Sequence, residues 1–265
     1  MAKYQTGRQN AGSGHSYRLD GKPVKGVTTL IKGGLPAPNI AYWAPRMAAQ
    51  CVWQEWDFIC ELQRRGERAL VDYVKEAPWR DRDAAAKRGT EVHSYAEQLA
   101  AGESVIVPEE LEGHVLAYRD FLTDWEPEVV ALEQWCFSRR HHYGGTFDMI
   151  AWLPTSDDGE LELWLLDIKT TRSGVFGETV LQLSGYQNAE FYLDERDGSE
   201  HEMPVVHRTG VIWVRADGYD LIPVHTDETT YRTFLHCAAV TKATAKVRNR
   251  DPLADRVGDP MEMDR

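Results

Sequence analysis

Asp167 and Lys169 stand two residues apart at the end of an apolar run, "LELWLLDIK" (161–169). Side chains alternate across a strand, so both charges point to one face and Ile168 to the other. Opposite charges at the end of an apolar strand are costly to desolvate unless each is matched. They form either a structural ion pair or a site that uses both signs. A second carboxylate, Asp148, lies among Phe147, Met149 and Ile150 in "YGGTFDMIAWL" (143–153). If the two runs are antiparallel neighbours through the turn-rich "PTSDDGE" (154–160), Asp148 and Asp167 come close together. Facing carboxylates repel and raise one pKa, and a divalent cation beside Lys169 relieves this.

Other residues can join them. Gln182 and Tyr186 are four residues apart and share one face of a helix expected over 177–195, with Leu183, Ala189 and Tyr192 available for packing. His93 lies on a helix over "RDRDAAAKRGTEVHSYAEQLAAG" (80–102), where Gly89 permits a close neighbour. Gly144 and Gly145 precede Asp148, and glycine in a strand marks a bulge or a close backbone approach. Glu133, on the preceding strand, either approaches the site or points outward. Each feature alone is ordinary: most helical histidines pack or face solvent, and D-x-K pairs occur by chance. The signal is their order: helical His, G-x-x-D on a strand, D-x-K on the next, then Q-x-x-x-Y on a helix.

The elements that must position these residues follow from period and punctuation. A D-G turn in "GHSYRLDGKPVKGVTTLI" (14–31) predicts a hairpin. Helices are expected over 39–62, 66–76, 80–102 and 108–125, the third ending at Gly102 and the fourth opened by Pro108. After Pro127 the period shortens, and 128–137, 143–153 and 161–169 read as successive strands. A hairpin over 208–224 and a helix from Asp227 to about Arg248, capped by that aspartate, complete the chain. The fold class is α/β: one domain over 1–250, with an N-terminal hairpin and helices (14–125), a sheet with its helix (128–225) and a C-terminal helix (227–248). The acidic tail 251–265 is expected to be flexible.

Composition limits the alternatives. With 265 residues, 42% hydrophobic and 27% charged, the chain can bury a sizeable core. No run is long enough to span a membrane and the polar N-terminus lacks a signal-peptide core, so a cytoplasmic location is expected. Cys51, Cys60, Cys136 and Cys237 form no C-x-x-C pair, so reduced thiols are expected rather than a zinc site. A net charge of −12 opposes nucleic-acid binding unless a local patch offsets it. Basic clusters at 80–88, 139–142, 169–172 and 242–250 offer such patches, the last being most simply a solvated face. Trp43, Trp53, Trp56 and Trp79 could stack bases, although core packing is the favoured reading of large aromatics.

"RGTEVH" (88–93), "GGTFD" (144–148), "LLDIKTT" (165–171) and "QLSGY" (182–186), in this order, resemble the RecB-like branch of the PD-(D/E)XK nuclease superfamily. The N-terminal "YRLDGKPVKGVTTLI" and "YWAPRMAA" are similar to its phage members, and the resemblance covers about residues 15–225. It implies a restriction-endonuclease-like core, a central mixed sheet flanked by helices, with a helical N-terminal elaboration. It implies His93, Asp148, Asp167 and the Ile168 carbonyl as ligands of Mg²⁺ or Mn²⁺, and Lys169 as the catalytic lysine. Gln182 and Tyr186 would orient the lysine, the attacking water or the scissile phosphate, with Thr170 and Arg172 near the DNA backbone. Oxygen ligands suit both ions, and the imidazole tilts the preference toward Mn²⁺. CRISPR-associated members often carry an iron–sulfur cluster on four cysteines, three near the C-terminus. Only Cys237 lies there, so no cluster is expected.

The implied activity is a metal-dependent deoxyribonuclease, an exonuclease at single-stranded DNA ends, working with replication or recombination proteins in the host cytoplasm if phage-encoded. Rivals are a structure-specific or restriction-like endonuclease of the same fold, an inactive nucleic-acid-binding scaffold, and a non-nuclease in which Asp167–Lys169 is a structural ion pair. The intact Asp148, Asp167 and Lys169 set argues against the scaffold.

Overall fold

The computed structural model describes residues 6–11, 14–36, 39–154, 160–172 and 174–248. The proposed turn at 154–160 falls mostly outside these residues, and the tail 251–265 entirely so. The chain opens with strands β1 (Gly7–Ala11), β2 (Gly14–Leu19) and β3 (Lys22–Gly26), followed by helices α1 (Val27–Gly34), α2 (Asn39–Gln54), α3 (Trp56–Arg65), α4 (Glu67–Ala100) and α5 (Glu109–Trp125). Then come β4 (Glu128–Ser138), β5 (Tyr143–Pro154), β6 (Leu161–Lys169), α6 (Glu178–Gln187), β7 (Phe191–Leu193), β8 (Glu200–Glu202), β9 (Arg208–Arg215), β10 (Gly218–Val224) and α7 (Glu228–Arg248). The fold is mixed α/β, a curled mixed sheet with helices on both faces.

β5 is the centre of the sheet. One of its edges pairs with β4 along most of its length, antiparallel. Its other edge is shared. β3 pairs with its start in parallel, at Tyr143 and Gly144, and β6 pairs with its end antiparallel, from Met149 to Pro154. Residues 145–148 of that edge therefore face a gap between β3 and β6. β6 leaves the ladder after Leu166 and continues beside β9 in parallel, with Asp167 opposite Val211 and Lys169 opposite Trp213.

One face of the sheet packs on α1, α6 and α7 through Val27, Leu30, Leu183, Tyr186 and Phe234. The other packs on α5 and the C-terminal half of α4 through Ala96, Tyr118, Phe121, Met149 and Leu166. Burying both faces explains why β5 and β6 are nearly continuous apolar runs. α1 crosses α7 closely: added Cβ atoms on Gly33 and Gly34 would collide with Thr241 and the Cys237 backbone. Thr241 Oγ1 donates to the Leu30 carbonyl at 2.7 Å across the same crossing.

Several boundaries differ from the sequence reading. The expected helix over 177–195 ends at Gln187, where Asn188 Nδ2 donates to the Ser184 carbonyl at 2.9 Å. The remainder forms β7 on the edge of β4, because there Phe191 and Leu193 bury against Phe137 and Tyr17. The expected helices over 66–76 and 80–102 are one helix, α4. Pro78 does not end it, and Ala77 and Pro78 are buried, so packing offsets the lost backbone bond. The helix over 39–62 is instead two, α2 and α3, breaking at Glu55. The hairpin at the Asp20-Gly21 turn is present as β2 and β3, but the chain from Val27 onward forms α1, whose Val27, Leu30 and Ile31 bury at helical spacing. The cap at Asp227 is present: its Oδ1 accepts from the Thr230 N–H at 2.8 Å.

Candidate active site

The gap on the edge of β5 opens into a cavity of about 190 Å³. Its walls carry His93, Glu133, Asp148, Asp167, Lys169, Gln182 and Tyr186. The sheet register explains the cluster. The β5–β6 ladder ends at Met149 and Leu166, so the next positions in register are Asp148 and Asp167. The β4–β5 ladder places Glu133 beside Asp148, between the pairs Leu132–Met149 and Gln134–Phe147. Three carboxylates thus lie at one level on three adjacent strands. Glu133 also has φ +49°, a left-handed conformation inside a strand that a non-glycine residue rarely adopts. Such strain is held by its surroundings and concentrates at functional sites.

α4 brings His93 to the same point from the opposite side. Its Nδ1 lies 3.7 Å from Glu133 Oε1 and 3.6 Å from Asp148 Oδ2. Its Nε2 lies 3.0 Å from the Ile168 carbonyl, which can only accept, so Nε2 carries a proton. Burial opposes the charged imidazolium, but Asp148 and Glu133 outweigh it and raise the His93 pKa to about 9. The proton on Nδ1 then occupies the place between the carboxylates. Gly89, one turn earlier, lets α4 approach the strand end: a Cβ there would lie 3.2 Å from Thr170 Oγ1.

β6 and α6 build the other half. Lys169 Nζ lies 2.6 Å from Asp167 Oδ2. That contact is an ion pair at the buried end of β6. The Gln182 amide links the remaining groups: Nε2 donates to Asp167 Oδ1 at 2.6 Å and to Tyr186 Oη at 3.2 Å, while Oε1 accepts from Lys169 Nζ at 3.3 Å. Asp148 Oδ2 accepts from the Ile168 N–H at 2.6 Å. Burial raises the Asp167 pKa to about 6, against the lowering by Lys169, and burial raises that of Asp148 as well. Burial acts to lower the Lys169 pKa, yet Asp167 and Asp148 raise it overall, so the ammonium stays charged.

No family model and no curated protein matches the chain. One ligand atom each from His93, Glu133 and Asp148 lie within 4.8 Å of one another, so this group could hold a metal ion. Asp167, whose Oδ2 rests against the Lys169 ammonium, lines the same cavity. The charges also fit. Three carboxylates face one ammonium when His93 is neutral, and a divalent cation balances the remaining two negative charges.

The structure brings together His93, Asp148, Asp167, Lys169, Gln182 and Tyr186, and resolves the open position of Glu133 toward the site. The Ile168 carbonyl borders the site, where it orients the imidazole. Thr170 and Arg172 do not line the cavity: Thr170 faces Gly89, and Arg172 is exposed in the turn after β6. Arg8 and Thr28 line it without having been singled out in the sequence. The tryptophans divide. Trp43 and Trp79 meet edge-on at 6.2 Å, whereas Trp53 and Trp56 are 85% and 59% exposed.

Proposed function

We propose that the chain is a metal-dependent deoxyribonuclease of the PD-(D/E)XK type, RecB-like, acting as an exonuclease on single-stranded DNA ends during replication or recombination. One observation carries the reading: Asp167 and Lys169 end a strand beside Asp148, and Gln182 ties carboxylate and ammonium together in one cavity. A structural ion pair would not require three further ligand-type residues, His93, Glu133 and Asp148, converging on the same point.

His93, Glu133, Asp148 and Asp167 would hold Mg²⁺ or Mn²⁺. Such an ion supplies Lewis acidity at a phosphoryl oxygen and lowers the pKa of a bound water. The rest falls to the chain. Lys169, held charged by Asp167 and Asp148, acts as a donor rather than a base: it positions the attacking water and offsets negative charge developing on the phosphate. Gln182 fixes the ammonium direction, and Tyr186 fixes Gln182. The buried walls behind Lys169 limit water and strengthen these interactions.

Digestion of end-labelled linear and covalently circular single-stranded DNA tests the proposal, with Mg²⁺, Mn²⁺ or EDTA. Metal-dependent loss of the linear strand alone is the expected result. Cutting of the circle would assign the site to an endonuclease, and no cutting of either with either metal would reject hydrolysis.

A further inference from the structure

Arg8 lines the cavity but has no place in the network described above. It lies on β1, opposite Tyr17 in the β1–β2 ladder. Tyr17 Oη is 2.9 Å from Thr146 Oγ1, two residues from Asp148, so the N-terminal hairpin is tied to the unpaired edge of β5. Because β3 and β6 share that edge, the hairpin stands on one side of the gap and the Asp167–Lys169 strand end on the other.

The Nε of Arg8 is buried and has no hydrogen-bond partner. Among the described residues, no carboxylate forms an ion pair with its guanidinium. The cavity's carboxylates turn elsewhere: Glu133 and Asp148 toward His93, Asp167 toward Lys169 and Gln182. Leaving a donor of a charged group buried and unpaired is costly, and proteins retain such groups where a ligand completes them. A guanidinium presents a planar fork of donors that matches two oxygens of a phosphate.

We infer that Arg8 binds a phosphate of the substrate strand, so that the N-terminal hairpin forms the wall of the cavity facing Lys169. Charge supports a phosphodiester. Three carboxylates, Lys169 and a divalent ion sum to neutrality, and Arg8 adds the single positive charge that a phosphodiester neutralises. The inference rests on the nucleic-acid reading of the site and names the residue that grips the strand there.

The test separates binding from cutting. A labelled single-stranded thymidine oligonucleotide is titrated with wild type, Arg8→Ala and Arg8→Lys across a range of monovalent salt at a fixed concentration of Ca²⁺, which balances the cavity's carboxylates in place of the hydrolytic ion. Arg8→Ala is expected to weaken binding about tenfold and to flatten the log–log salt slope by about 0.7, the value for one single-strand phosphate contact. Arg8→Lys should keep the slope and recover part of the affinity, since the charge remains and the fork is lost. Melting temperatures within the wild-type range for both variants show an intact hairpin. Equal affinity and slope in wild type and Arg8→Ala would overturn the inference, as would absence of binding by wild type. Cleavage by wild type with metal is scored separately. Arg8-dependent binding without cleavage would uphold Arg8 and reject hydrolysis, and cleavage with Arg8-independent binding would do the reverse.

Discussion

At the residue scale, the site is a small set of charges whose positions come from strand register. Lys169 has the clearest separable role. Its ammonium touches Asp167 and Gln182, yet it offers no ligand atom to a cation while charged. Lys169→Ala should therefore lower the cleavage rate by about 10²–10³, the usual cost of one transition-state donor, while strand binding in EDTA stays close to wild type. Single-turnover assays beside anisotropy titrations measure both, and a variant that cuts at the wild-type rate would remove Lys169 from the chemistry. Most of this constellation is legible in the sequence because it is periodic: D-x-K gives one strand face, and Q-x-x-x-Y gives one helix face. Glu133 could not be settled in that way. Its inward position depends on the β4–β5 register and a left-handed backbone, and neither leaves a local signature. Arg8 was missed for another reason. "GRQNA" has no apolar alternation, so nothing marks β1 as a strand, and the cavity it reaches is distant in sequence.

At the element scale, the site needs close packing between β5 and α6, and Gly145 provides it. A Cβ at Gly145 would lie 2.5 Å from Tyr186 Cε1 and 3.3 Å from Val27 Cγ2. The Tyr186 ring is buried and carries the hydroxyl that accepts from Gln182. Gly145→Ala should thus cost about 1–3 kcal/mol of stability, the range for overpacking a filled core. It should also reduce cleavage, because α6 must shift and Gln182 with it. Denaturant midpoints and cleavage rates test the two halves, and wild-type values in both would show that the ring has room. Strands β4, β5 and β6 and their antiparallel order were readable from apolar runs and the turn between them. The helices were less so. α4 runs through Pro78, and α6 gives way to β7 after Gln187, because burial of Ala77 and Phe191 outweighs local preference in each case. Local pattern holds no information about such long-range packing.

At the scale of the whole molecule, the chain concentrates uncompensated negative charge in one buried place, and the folded state bears the consequence. Without metal, the proton on His93 supplies part of the charge that balances these carboxylates. Its folded pKa of about 9 exceeds the ordinary 6.5, so this proton stabilises the fold fully below about pH 6.5, and the benefit is lost as pH rises through about 9. Asp167 acts in the same direction at lower pH. Its folded pKa of about 6 exceeds the ordinary 3.8, so its contribution is present below about pH 3.8 and lost as pH rises through about 6. The melting temperature in EDTA should therefore fall as pH rises from 6 to 8, mainly through His93. A metal held by His93 would have to displace that same proton, so its apparent affinity should rise over this range, and with it the stabilisation RT ln(1 + [L]/Kd). At a fixed Mg²⁺ concentration, the gap between melting temperatures with metal and with EDTA should be wider at pH 8 than at pH 6. Asp148→Asn sharpens the test. The amide oxygen can still accept from the Ile168 N–H, so the strand end keeps its bond, while a ligand and part of the repulsion go together. That variant should melt at or above wild type in EDTA at pH 8 and show little gap at either pH. A gap that is the same at both pH values in wild type, or that survives in Asp148→Asn, would mean that His93, Glu133 and Asp148 do not hold the metal.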